Sequence, residues 1–116
     1  YAISIFIKFL EEAKTQAFIN NLQNDIDRIW RSSQGSQTRS YDLPSKIKQV
    51  CFINDPAENL IFLPKGSADV GFVTIENIDL SKTLDGTREL CFDNNGKINM
   101  ILKKDFGEDL VYIRKS

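Results

Sequence analysis

The N-terminal part of this sequence constrains the fold more than any other feature, because its first glycine or proline is Gly35. Apolar residues recur with helical spacing over about 9–30. Glu11 and Glu12 stand early in this stretch and Arg28 stands late, the charge order that a helix dipole favours. The polar run 32–36 contains the first glycine, so we expect a long helix that ends there.

At about 100° per residue, the apolar side chains of this helix fall on two successive faces. The N-terminal face consists of Ile3, Phe6, Ile7, Leu10, Ala13 and Ala17. The C-terminal face, rotated by roughly 100°, consists of Phe18, Leu22, Ile26 and Ile29. Two arrangements satisfy this pattern. The helix wraps around a single core, or its second half packs on its own domain while its first half meets lipid or neighbouring copies.

The first ten residues, YAISIFIKFL, are strongly apolar but too few to span a bilayer, which needs about 20 residues. One interpretation is an N-terminal β-strand or the buried start of a core helix. The other is the end of a membrane anchor that begins before Tyr1. Residue 1 is not methionine, so we expect a fragment or a processed product.

After Gly35 the periodicity changes to short β-like runs, at 40–43, 46–53, 60–63, 72–78, 88–92, 98–102 and 110–113. Asn95-Gly96 lies between two of them and predicts a β-hairpin. The predicted fold is α+β, with a long N-terminal helix packed on a mostly antiparallel sheet of about five to six strands. The helix and linker occupy 1–35, and the β domain occupies 36–116.

The two cysteines, Cys51 and Cys91, fall in predicted strands of similar character. A disulfide between them would close a loop of about 40 residues and contribute about 4 kcal/mol. The alternative is two buried, reduced thiols, as in cytosolic proteins. The even count and the possible anchor favour the disulfide.

Several functional classes lack their required residues. There is no histidine, so Ser-His-Asp and Cys-His catalysis are excluded, and two cysteines cannot form a four-thiolate metal site. The net charge of −1 gives no electrostatic basis for binding nucleic acid. We therefore predict a non-enzymatic protein with no metal and no cofactor. An enzyme that uses carboxylates alone would need two of them ~5–10 Å apart in one pocket.

An apolar N-terminal segment that runs into a long helix and then an antiparallel sheet resembles the layout of type IV pilins with a truncated anchor. The stretch 30–43, with its Gln34-Gly35-Ser36 linker, and Val50-Cys51-Phe52-Ile53 are similar to small membrane-anchored extracytoplasmic proteins of archaea. The processing site and the N-terminal glutamate of mature pilins would lie before Tyr1.

This resemblance implies a structural subunit at the cell surface that is anchored in the membrane through a segment upstream of Tyr1. It also implies self-association through the N-terminal face. The alternative function is a cytosolic α+β binding module with reduced cysteines, in which YAISIFIKFL is a strand of the sheet.

Overall fold

The structure, a computed structural model, describes the backbone of residues 2–115 and the side chains of residues 10–115. This part of the chain is α+β, as predicted. Its elements are α1 (Ala2–Trp30), β1 (Gly35–Asp42), β2 (Gln49–Ile53), β3 (Leu60–Leu63), α2 (Leu80–Leu84), β4 (Glu89–Asp93), β5 (Lys97–Lys104) and β6 (Tyr112–Lys115).

Helix α1 spans Ala2–Trp30, so the described residues 2–10 of the apolar segment are helical and the interpretation of this segment as an N-terminal strand is wrong. Its 29 residues span about 43 Å at 1.5 Å per residue. The C-terminal face is buried, with Leu22 and Ile26 fully enclosed. The helix therefore contributes its second half to the core, which lies between α1 and the inner faces of the strands.

The six strands form two antiparallel sheets of three strands, in the orders β1-β5-β6 and β3-β2-β4, rather than the single sheet of five to six strands that we expected. The predicted hairpin between β4 and β5 is also wrong, because β4 pairs with β2 while β5 pairs with β1 and β6. The turn between β4 and β5 is held instead by the loop that joins β1 to β2. The Asn94 side chain donates to the carbonyls of Pro44 (3.1 Å) and Ile47 (2.7 Å), and the Asn94 backbone N–H donates to the Lys48 carbonyl.

The run 72–78, which we predicted as a strand, forms only isolated bridges among the described residues. A side chain takes the place of a strand partner there. The Asn59 amide donates to the Ile75 carbonyl at 2.8 Å and accepts from the Ile75 N–H at 2.7 Å. Asn59 is 4% exposed, so this pair of bonds satisfies buried polar groups on both sides.

The sequence pattern did not predict α2, which has only five residues. The Asp79 carboxylate caps its N-terminus by accepting from the Lys82 N–H at 3.1 Å. Inside the helix, the Thr83 hydroxyl accepts from the Ile113 N–H at 3.1 Å. The capping bond stabilises α2, and the bond of Thr83 holds the helix against β6.

A buried carboxylate joins α1 to β1. Asp25 is 3% exposed and accepts from the Tyr41 hydroxyl at 2.7 Å and from Arg39 Nε at 3.1 Å, and Arg28 lies 3.5 Å away. Burial, followed by the hydrogen bond to Asp25, raises the pKa of the Tyr41 phenol far above its usual value. The phenol therefore remains a donor, and the buried charge of Asp25 keeps its partners.

We expect Asp25→Ala to lower the free energy of unfolding by about 2–4 kcal/mol, because it leaves the Tyr41 hydroxyl and Arg39 without their acceptor. Asp42→Ala removes an exposed carboxylate from the same region and should change it by no more than about 0.5 kcal/mol. Urea denaturation measures both. Equal stability of the two variants would contradict a stabilising role for this cluster.

Candidate functional site

The described members of the N-terminal face lie outside the core. Leu10 is 49% exposed, and Ala13 and Ala17 are exposed on the same side of α1. The side chains of Ile3, Phe6 and Ile7 lie outside the described residues. The candidate site is therefore the apolar side of the first half of α1, which the sequence extends towards Ala2.

The part of α1 that packs on the rest of the protein, here called the body, begins about one helical turn after Leu10. Thr15 is the first buried side chain in the described part of α1, and its hydroxyl donates to the Glu11 carbonyl at 2.9 Å. Phe18 follows, with its ring edge-to-face on Tyr41 (5.3 Å between centroids) and on Phe62 (6.1 Å). Side chains 10–14 are exposed or partly exposed, so α1 projects beyond the body from this point towards its N-terminus. The longest dimension of the molecule is 54 Å, against 26 and 24 Å for the other two.

The predicted disulfide between Cys51 and Cys91 is present. The two residues are directly opposite each other in β2 and β4, with their Cα atoms 4.0 Å apart. Such a short separation is typical of a non-hydrogen-bonded antiparallel pair. The disulfide therefore crosses the sheet at a position where the strands already bring the two residues together.

A carboxylate stands beside the disulfide. An oxygen of Glu89 and the two sulfur atoms lie within 4.8 Å of one another. Thiolates, rather than disulfide sulfurs, are the metal ligands. In the oxidised protein this group therefore offers a metal one carboxylate and no thiolate.

Two carboxylates meet at one ammonium group near β6. Lys82 Nζ lies 3.1 Å from Asp105 and 3.3 Å from Glu108. The hydrogen bond from Lys82 holds the pKa of the Asp105 carboxyl below its usual range, and the same bond raises the pKa of Lys82. A general acid of the carboxylate class needs a raised pKa. The shift at Asp105 has the opposite sign, so this cluster matches an ion-pair network.

Comparison of the chain with protein-family models, curated proteins and solved structures finds no match. Within the described part of the chain, neither helix has the length and apolar character that a bilayer crossing requires. The function must therefore be inferred from the geometry and chemistry of the surfaces themselves.

We expect the double variant Cys51→Ala/Cys91→Ala to be less stable than the oxidised protein by about 2–4 kcal/mol, because the unfolded chain loses a crosslink between residues 40 apart. Urea denaturation with and without reductant measures the difference. Reduction should lower the stability of the wild-type protein and leave that of the variant unchanged. A variant as stable as the oxidised wild-type protein would contradict this expectation.

We expect the pKa of the Asp105 carboxyl to lie below its usual value in the wild-type protein and to rise towards that value in Lys82→Met, which removes the hydrogen bond. Its lowered pKa favours folding above the unfolded pKa, and this contribution is lost as the pH falls through the folded pKa. The raised pKa of Lys82 stabilises the folded state at pH values below the pKa of Lys82 in the unfolded chain. This stabilisation is lost as the pH rises through the pKa of Lys82 in the folded protein. Carboxyl NMR measures the titration of Asp105. Lys103→Met removes a nearby charge without removing the hydrogen bond, so an equal shift in that variant would contradict the assignment.

Proposed function

We propose that this chain is a non-enzymatic, extracytoplasmic domain of a membrane-anchored structural protein of the pilin-like or cell-surface kind. One observation carries this proposal. The second half of α1 is part of the core, whereas the first half projects from the body with Leu10, Ala13 and Ala17 exposed.

Burying the projecting half against a partner would be energetically favourable. Burying an exposed leucine contributes about 1.5–3 kcal/mol, and the N-terminal face continues in the sequence through Ile7, Phe6 and Ile3. The alanines at positions 13 and 17 leave room for the backbone of a neighbouring helix to approach closely. An apolar face of this kind fits helices of neighbouring copies and, near its N-terminus, the acyl chains of a membrane.

The proposed anchor lies before Tyr1. The strongly apolar residues 2–10 of α1 span about 14 Å, whereas the hydrocarbon core of a bilayer is about 30 Å thick. Further apolar residues that continue α1 towards its N-terminus would complete the span. The codons that precede Tyr1 in the gene test this part of the proposal, because it requires them to encode a hydrophobic stretch.

The disulfide supports an extracytoplasmic location. Disulfides persist in oxidising compartments and are rare in the cytosol, where thiols are kept reduced. Cys51 is fully buried in the bonded state. Quantifying free thiols in protein unfolded without reductant, directly after extraction from its native cells, tests the location. No free thiols are expected, and two would favour the cytosolic alternative.

We expect Leu10→Lys to weaken self-association at least about tenfold, because a charge replaces an apolar contact in the centre of the N-terminal face. Leu110→Lys is the matched control, because Leu110 is 37% exposed and precedes β6 rather than lying on α1. Sedimentation equilibrium over a concentration series measures the association, and thermal unfolding verifies that both variants fold. Identical association of the two variants would contradict a role for this face.

A further inference from the structure

One edge of the second sheet is bridged to Val73 at Leu60 but is open at Phe62, next to a groove. Strand β3 is an edge strand, and its Leu60 N–H donates outward to the Val73 carbonyl at 3.4 Å. Alternate residues of a strand direct their backbone groups to the same side, so the N–H and carbonyl of Phe62 also point away from β2. Among the described residues, no strand pairs with β3 on this side of Phe62. Open strand edges of this kind are prone to contact other chains.

The groove beside this edge has a volume of about 430 Å³. Its apolar lining comes from β3, from Ile53 at the end of β2 and from Ala68. An apolar cavity of about 150 Å³ holds a benzene molecule, so the groove has room for an aromatic side chain. Glu58 and Lys65, which precede and follow β3, also line it. Neither forms a salt bridge within the described part of the chain.

An aromatic side chain of suitable size stands next to the groove. Phe72 is 80% exposed and directly follows Gly71, which lines the groove. Gly71 has a φ of +73°, a backbone conformation that residues with a β-carbon rarely adopt. The turn at Gly71 thus presents Phe72 to solvent rather than to the groove of its own chain.

We propose that the groove and Phe72 form an isologous interface with a second copy of this chain, in which each Phe72 inserts into the groove of the other copy. The charges support a second copy as the occupant. In a two-fold arrangement of antiparallel β3 strands, the start of one strand meets the end of the other. Glu58 of each copy then faces Lys65 of the other, so both charges acquire partners of opposite sign. This interface does not rest on the proposed function of the N-terminal face.

The first test compares two phenylalanines of equal exposure in a Leu10→Lys background, which weakens any association through α1. Phe72→Ala should weaken dimerisation at least about tenfold, whereas Phe106→Ala, at a residue 79% exposed, should leave it unchanged. Sedimentation equilibrium up to about 1 mM measures the dimer. A monomer throughout this range, or an equal effect of the two substitutions, would overturn the proposal.

The second test reverses the charges in the same background. Glu58→Lys and Lys65→Glu each place like charges across the interface and should weaken the dimer about tenfold, since each change affects two contacts. The double variant Glu58→Lys/Lys65→Glu restores opposite charges and should recover the wild-type affinity. A double variant as weak as the single variants would overturn the proposed arrangement.

Hydrogen exchange provides a backbone measurement that needs no substitution. The Phe62 amide should become protected as the protein concentration rises, because the interface shields it from water. The Leu60 amide is the internal control, since it already donates to Val73 and its protection should not change. Equal exchange of Phe62 at low and high concentration would also count against the interface.

Discussion

The contact of Phe18 with both sheets is the interaction on which the rest of this structure depends. Its ring packs against Tyr41, in the sheet that contains β1, and against Phe62, in the sheet that contains β3. Leu22 and Ile26 continue this buried row along α1, and each buried side chain contributes about 1.5–3 kcal/mol. The apolar face of a small sheet must be buried against another element. The second half of α1 therefore holds two small sheets together around one core.

Polar contacts determine how the helix lies on this core. At one position the buried Asp25 binds Tyr41 and Arg39 of β1. At another, the Gln23 amide both donates to the backbone of Glu76 (3.1 Å) and accepts from it (2.8 Å). Apolar packing alone is non-directional, whereas these bonds require one orientation. Together they connect α1 to a strand of the first sheet and to the irregular segment that follows β3.

Much of the fold follows from local patterns, and the errors have a common physical cause. The helical period was readable because burial in α1 repeats at the period of the helix. The Asn95-Gly96 turn occurs where a turn was expected, with a Gly96 φ of +96°, but turn chemistry does not determine which strands pair. In the folded chain, Asn94 binds the loop before β2, and β4 and β5 lie in different sheets. Local sequence patterns do not reveal such contacts, because the residues are about 50 positions apart in the chain.

Some of the functional and buried polar features could be predicted from the sequence, and others could not. The two faces of α1 and the pairing of Cys51 with Cys91 could be inferred, because helical periodicity and an even cysteine count are visible in one dimension. Asp25 had a usable signal, since it stands three residues after Leu22 on the buried stripe. The groove beside β3 had none, because it forms only when three separate segments meet.

The two proposed surfaces differ in the affinity that each requires. The proposed association through the N-terminal face involves a helix that the proposed anchor would hold at a membrane. Anchoring confines the domains to a surface, and tethering over short distances gives effective concentrations in the millimolar range. A contact of one aromatic side chain and two exposed ion pairs at the β3 edge is weak in dilute solution. At such local concentrations this contact would be more highly populated than in dilute solution, so the proposed anchoring would strengthen the proposed interface at the β3 edge without being required for it.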